Sequence, residues 1–462
     1  MKTDHPENSR IKLYSSLGTL TGNVREDCLE FLGVPFAQAG RFEYAKPLES
    51  WDKAGRHLAD GCLDATRFGP ACPQCRQFDL HLDNPKRLFY HREYRDGLVF
   101  DYSEDCLEVN IYTPKDAEKC PVIVFIYGGG FDSGSNSEQP FDGAGLAGRG
   151  VVCAVINYRV GVLGYLTHEE VKKQYGRDGN FGLDDQRTGI KWVKDHIADF
   201  GGDPENITVL GQSAGAISIQ YLCLDQKNKG LFKRAIMMSG GGMFPKFALP
   251  KPSDQTRSYW LQLMQEAGCG SFEELKALDL ESLFKAVEIM KIKRKDTIYY
   301  VMPVVDGLLL ERPVPELIDH PLPLDYMIGY TNTDMYAPAL AWVGGRFGKK
   351  NGAYIYYFDI DAPGDKNGAF HSCDLRYVFE KLDEGWRPYG ERDRQASSEL
   401  ASYIANFART GDPNGKGLPL WKAARPGLLA DVLRIAPQGS FMGHPQYLKM
   451  TKNFLTIGDP KA

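Results

Sequence analysis

Asn206-Ile-Thr-Val-Leu-Gly-Gln-Ser-Ala-Gly-Ala216 decides how this chain is read. Residues 207–210 are short, β-branched and apolar, the composition of a buried strand. Gly211-Gln-Ser-Ala-Gly215 then fits the pattern G-x-S-x-G, and residues 216–224 have helical composition. Strand, tight turn and helix are the setting in which this motif presents a serine: the turn strains the backbone and lifts Oγ above the sheet. Gly211 and Gly215 belong beside the turn because a Cβ there would crowd the neighbouring strand and helix. The next amide, that of Ala214, opens the helix, so its N–H lacks an intrahelical acceptor and can donate to a developing negative charge. Alone, the pentapeptide also fits an ordinary loop; the strand before it and the helix after it favour the strand-to-helix turn.

The surrounding 462 residues are 43% hydrophobic and 25% charged, enough apolar content for a large core. A net charge of −5 gives no basic patch, which makes nucleic acid a poor partner. No apolar run approaches the length of a bilayer span. The opening Met-Lys-Thr-Asp-His-Pro-Glu-Asn is polar and lacks the apolar core of a signal peptide, so a soluble cytoplasmic protein is expected. Ten cysteines in such a chain read as free thiols. Cys72-Pro-Gln-Cys75 has C-x-x-C spacing but no second pair or spaced histidines, so no metal is expected.

Strand and helix patterns alternate outward from the motif. Residues 11–36 alternate apolar and polar around Gly18 and Gly22, as antiparallel strands at a sheet edge do. Strands are predicted at 107–112, 122–127, 151–157, 235–238, 326–329 and 354–358, a helix-like piece at 141–147, and helices at 184–200 and 397–409, the last stopped by Gly411-Asp-Pro413. This alternation predicts an α/β fold, a mostly parallel sheet covered on both faces. Residues 60–103 show little periodicity and read as an excursion over the body; 250–300 read as a helical, charge-rich insertion. Both lie where loops line binding sites.

A serine hydroxyl is a weak nucleophile at neutral pH and needs a base, which in turn needs an orienting carboxylate. The strand-to-helix serine implies the chain order serine, acid, histidine. Three histidines follow Ser213: His320 sits beside prolines, His444 in the tail, and His371 just past a strand and its loop, where an open parallel sheet places active-site groups. For the acid, Asp334 follows the predicted strand 326–329; Asp306 and Asp325 are the alternatives, since an aspartate in a loop is most often a turn residue. Gly128-Gly129-Gly130 follows strand 122–127 and can point backbone N–H groups at a substrate carbonyl. It lacks the Gly-Lys-Ser/Thr ending of a phosphate-binding loop.

These residues resemble the type B carboxylesterase/lipase family, the α/β-hydrolase group that includes cholinesterases and bacterial para-nitrobenzyl esterases. The resemblance covers nearly the whole chain. It rests on Phe31-Leu-Gly-Val-Pro-Phe-Ala37, Ser103-Glu-Asp-Cys-Leu-Glu-Val-Asn-Ile-Tyr-Thr-Pro114, Tyr127-Gly-Gly-Gly-Phe131, Asn157-Tyr-Arg-Val-Gly161, Gly179-Asn-Phe-Gly-Leu-Asp-Asp-Gln186, Phe200-Gly-Gly-Asp-Pro204 and the 211–216 turn. It implies a nucleophile at Ser213, a base at His371, oxyanion donors at Gly129, Gly130 and Ala214, and a supporting serine at Ser239. Asp334 falls where the family usually carries Glu followed by Gly; here Met335 follows a shorter acid. Arg41 with Glu104, and Arg159 with Asp185, match buried structural ion pairs. Cys72 and Cys106 match a disulfide of secreted relatives and are expected close but reduced. No tryptophan stands in 76–102, where choline-binding relatives carry one.

The resemblance implies one α/β-hydrolase domain over 1–462, with pocket-forming insertions near 60–103 and 250–350. It implies a serine carboxylesterase acting on small-molecule esters through an acyl-enzyme, with no metal or cofactor. Thioesterase, lactonase or amidase specificity would use the same groups, and a silent binding protein is the remaining class. Substrate size would depend on 76–100, 243–300 and 336–350, whose aromatics (Phe78, Phe89, Tyr90, Phe244, Tyr299, Tyr336, Trp342) read as core or pocket wall. Monomer and dimer both stay open.

Overall fold

Runs of Val, Ile and Phe alternating with helical segments build a 14-stranded sheet. The computed structural model describes residues 10–53, 58–59, 61–243, 249–334, 347, 352–424 and 431–446. The labelled strands are β1 (Arg10–Ser15), β2 (Gly18–Val24), β3 (Cys28–Pro35), β4 (Glu108–Pro114), β5 (Cys120–Ile126), β6 (Val152–Ile156), β7 (Gly202–Gln212), β8 (Arg234–Met238), β9 (Asp325–Thr331), β10 (Ala353–Phe358), β11 (Val432–Ala436) and β12 (Gly439–Gly443). Across the sheet they lie in the order β12-β11-β10-β9-β8-β7-β5-β6-β4-β3-β2, with β1 paired to β2 and a short hairpin, Leu58–Ala59 with Cys62–Asp64, beyond β2. From β6 through β5 and β7 to β11, every neighbouring pair is parallel. The flanks, β1 to β4 and β12, are antiparallel.

Every residue of β6 and β8 is buried. Successive strand side chains point to opposite faces, so the middle of the sheet is covered on both. At the margin, β1 alternates between exposed and half-buried residues, as an edge strand should.

The longer helices are α1 (Pro85–Tyr94), α2 (Phe181–His196), α3 (Ala214–Leu224), α4 (Ser253–Glu266), α5 (Leu280–Lys293) and α6 (Glu391–Thr410). All residues of α3 are buried, which suits a helix wedged at the sheet's centre. α6 ends where Gly411 takes φ 84°, a left-handed cap that only glycine adopts readily.

Some boundaries differ from the sequence reading. α2 starts at Phe181 and tightens to a 3-10 turn over Ile197–Phe200, and β7 reaches back to Gly202 through an irregularity before Ile207. The 60–103 excursion holds α1, whose mixed aromatic and charged residues hide its period. Its N-cap was nonetheless written in the chain: Asn84 accepts from the N–H groups of Lys86 and Arg87, and Pro85 occupies the first turn.

Because β5 to β11 are parallel, their C-terminal ends share one edge of the sheet. Strand order reverses at β5, with β6 added on one side and β7 on the other, all three running parallel. Such a reversal opens a crevice at that edge.

Candidate active site

β7 ends at Gln212 and α3 begins at Ala214, leaving Ser213 alone at the turn between them. Its φ of 55° and ψ of −122° lie where non-glycine residues are strained by about 1–3 kcal/mol. The Ser213 N–H donates to Met238 O at 2.8 Å, tying the turn to the end of β8. Backbones cross closely here. A Cβ on Gly215 would lie 2.0 Å from Ile126 O, and one on Gly240 would lie 2.1 Å from Ser213 O.

Two loops meet this serine. The loop after β9 carries Asp334, and the loop after β10 carries His371. His371 Nε2 is 2.9 Å from Ser213 Oγ, and Nδ1 is 2.7 Å from Asp334 Oδ1. The second carboxylate oxygen, Oδ2, accepts from Ser239 Oγ at 2.6 Å and from the Thr331 N–H at 2.8 Å. The loops are laced together: Thr333 Oγ1 donates to Ala369 O at 2.9 Å, and the Ala369 N–H donates to Asn332 Oδ1 at 3.1 Å. Asp334 is 5% exposed, whereas His371 keeps a third of its side chain exposed, so the imidazole can meet a ligand while its partner stays dry.

Burial disfavours charge on both groups, but their mutual contact outweighs it. Asp334 is held below the ordinary carboxylate range by His371 and by its hydrogen bonds, and Asp334 raises His371 above a free imidazole.

Beside the serine, Gly129 and Gly130 take φ 107° and 64°. A Cβ on Gly129 would lie 1.9 Å from Ser133 O, so this hairpin-tight loop requires glycine. Gly129 O accepts from the N–H groups of Asp132 and Ser133, both at 3.2 Å. The N–H groups of Gly129, Gly130 and Ala214 meet no acceptor among the described residues.

A family profile described as the carboxylesterase family matches residues 9–350 and 335–452. The chain belongs to the carboxylesterase family. It is 29% identical over 466 residues to the para-nitrobenzyl esterase of Bacillus subtilis (strain 168), covering 86% of this chain and 89% of that one. It is 28% identical to liver carboxylesterase 1 of Oryctolagus cuniculus, over 85% of this chain and 83% of that one. A solved PNB esterase structure superposes with a TM-score of 0.78 at 26% identity, covering 96% of this chain and 99% of that one. The fold is that of an α/β-hydrolase, and the protein is a carboxylic ester hydrolase.

In this esterase the alternative acids and bases are employed elsewhere. Asp306 Oδ1 accepts from the N–H groups of Leu308, Leu309 and Leu310 at 3.0, 2.9 and 3.0 Å, as a turn residue. Asp325 begins β9, at the far end of the strand, and faces Arg234 at 3.5 Å. His444 meets Asp431 at 3.2 Å in the tail, and His320 is exposed.

Arg159 grips Asp185 through Nε and Nη2 at 2.8 and 2.7 Å, both side chains buried. Arg41 reaches Glu104 at 2.9 Å, but that carboxylate keeps 30% exposure, so the pair is not buried as the resemblance implied. Cys72 and Cys106 are buried neighbours with free thiols. Cys75 faces not Cys72 but the Lys291 ammonium, at 3.2 Å. Of the aromatics named from sequence, Phe89 packs edge-on against Phe370 at 5.0 Å, next to His371, and Phe78 packs on Phe284. Phe244, Tyr336 and Trp342 lie outside the described residues. No described helix is long and apolar enough to cross a membrane.

Two neighbours of the site escaped the sequence reading. The Gln212 side-chain amide lies 3.3 Å from His371 Nε2. Its signal was a polar residue at the last position of a buried strand. Asp374, three residues beyond His371, is fully buried; Tyr356 Oη donates to its Oδ2 at 2.8 Å, while Oδ1 finds no partner among the described residues. Burial, with Asp334 nearby, pushes the Asp374 carboxyl up to about 7.

Proposed function

We propose that the esterase hydrolyses small-molecule esters through Ser213, His371 and Asp334, in a single α/β-hydrolase domain over 1–462. The observation that carries this is the unbroken row of contacts, 2.9 Å from hydroxyl to imidazole and 2.7 Å from imidazole to carboxylate, beside uncommitted amides.

In this reading neutral His371 takes the Ser213 proton at Nε2 while Oγ attacks the ester carbonyl. The N–H groups of Gly129, Gly130 and Ala214 donate to the oxyanion; losing one such donor costs about 2.7–4 kcal/mol of transition-state stabilisation. His371 hands its proton to the leaving alcohol, and an acyl-Ser213 remains. Water then gives a proton to His371 and attacks the acyl carbon; as the second tetrahedral intermediate collapses, His371 returns that proton to Ser213 Oγ and the acid leaves. Asp334 keeps the Nδ1 proton in place and favours the imidazolium that forms twice per cycle. Ser239 and Thr331 hold Asp334 through its other oxygen. Ser213, His371, water and the leaving alcohol account for every proton.

The test pairs turnover of p-nitrophenyl esters with labelling by a fluorophosphonate. Wild-type protein should hydrolyse the ester and gain one phosphonyl mass on the peptide carrying Ser213, and Ser213→Ala should lose both. A Ser213→Ala protein that turns over the ester at the wild-type rate refutes the assignment.

A further inference from the structure

The oxyanion loop borders a cavity of about 240 Å³. Gly130 and Asp132 form one wall; Lys291, at the end of α5, with Arg294, Lys295, Thr297 and Val301 after it, form the other. Liquid water takes about 30 Å³ per molecule, so the space suits a short chain of several heavy atoms. Consecutive Cα atoms are about 3.8 Å apart, so a group lying against Gly130 is only a few bonds from a carbonyl held by the amides of Gly129 and Gly130.

The charges in this wall are uneven. Three cationic side chains line it against one carboxylate, Asp132, and that carboxylate is already bound to Lys291 Nζ at 2.9 Å. The carboxylates that hold the cations from outside do not line the cavity. Glu288 meets Lys291 at 3.2 Å, and Asp296 meets Arg294 through two contacts of 2.9 and 2.8 Å. Two long side chains are thereby ordered in advance, which spares a ligand the entropy of immobilising them. Lys291 and Arg294 are 19% and 26% exposed, so their fields are less screened than those of open surface charges. Lys295 is exposed and has no ion-pair partner among the described residues.

We propose that the cavity is an anion-recognising subsite, and that the preferred substrates are esters bearing a free carboxylate a few bonds from the scissile carbonyl. This rests on the oxyanion assignment above and adds the substrate class.

The experiment compares matched substrates that differ only in charge: mono-p-nitrophenyl adipate against its methyl ester, for a carboxylate on the acyl side, and 4-acetoxybenzoate against its methyl ester, for one on the alcohol side. The Ser213→Ala protein serves as blank. In at least one pair the free acid should be favoured in kcat/KM by about tenfold at low salt, the ratio that about 1.4 kcal/mol of differential binding gives. Lys295→Ala and Arg294→Gln should bring that ratio near one while the methyl ester stays within about twofold, and added salt should shrink it in the wild type. Lys295, exposed and without an ion-pair partner among the described residues, can be removed without threatening the fold. Methyl esters preferred in both pairs, or variants that slow acid and methyl ester alike, overturn the subsite and leave the esterase assignment standing. Methyl esters turned over no faster than the blank overturn both.

Discussion

Two buried carboxyls act on the same imidazole and are pushed in opposite directions. Asp334, hydrogen-bonded on both oxygens, sits below the ordinary range, and Asp374, with one oxygen unpartnered among the described residues, is raised to about 7. The proposed base works only when neutral, and Asp334 raises its pKa. The acid limb of kcat/KM should therefore have its midpoint above about 6.5, the value for free histidine. Asp334→Asn should lower kcat by about 10³–10⁴-fold and move that midpoint to lower pH, because the raising charge is gone. A profile from pH 5 to 9 with an unmoved midpoint would falsify the pairing. Asp374 predicts a stability effect of a definite sign. Its pKa is about 7 folded and about 3.9 unfolded, so between these values the folded state binds more protons, and stability falls as pH rises from about 4 to 7. Asp374→Asn keeps an acceptor for Tyr356 and removes that slope. Its stability relative to wild type, from urea unfolding at pH 5 and pH 8, should improve at the higher pH by an amount on the order of a few kcal/mol.

The turn at Ser213 is defined by backbone contact as much as by side chains. β5, β7 and β8 approach so closely at their ends that Gly215 and Gly240 leave no room for a methyl group. Gly240→Ala, whose Cβ would lie 2.1 Å from Ser213 O, must move the serine. Phosphonylation should slow by at least about tenfold, since a displacement of about 1 Å costs roughly 10²-fold when reacting groups must align. Gly176, which caps a short surface helix at φ 73° with open space around it, provides the control. Gly176→Ala should cost about 1–2 kcal/mol of stability through its backbone angle alone and leave labelling unchanged. Equal labelling rates for the two variants would mean that the close approach at Gly240 does not hold the serine.

Across the whole molecule, the parallel run from β6 to β11 brings distant loops to one edge, and buried polar ties keep them there. Arg159 joins the end of β6 to α2 by its grip on Asp185. Removing one partner strands the other charge in the interior, so Arg159→Met should destabilise by about 3–5 kcal/mol, and Arg159→Met with Asp185→Leu should recover most of it. Denaturant titration of the two single variants and the double variant checks this; a double variant as unstable as the sum of the singles contradicts it.

Much of this architecture was legible locally. Strand 207–210, its turn and helix α3 follow from a run of β-branched residues, two glycines and a helical composition, all within about twenty positions. The glycines at 128–130 and the stop at Gly411 are equally local, because turn and cap chemistry is set by immediate neighbours. Which acid meets which histidine was not readable that way. His371 meets Ser213 from 158 residues away and Asp334 from 37, and Asp306 and Asp325 stood as alternatives to the preferred Asp334 until the structure placed one in a turn and the other at the wrong end of β9. The orphaned oxygen of Asp374, the amide of Gln212 beside the imidazole and the cationic wall facing Gly130 likewise exist only once the sheet is assembled. Distances between side chains far apart in sequence are set by strand pairing and packing, and neither is written in any local stretch of the chain.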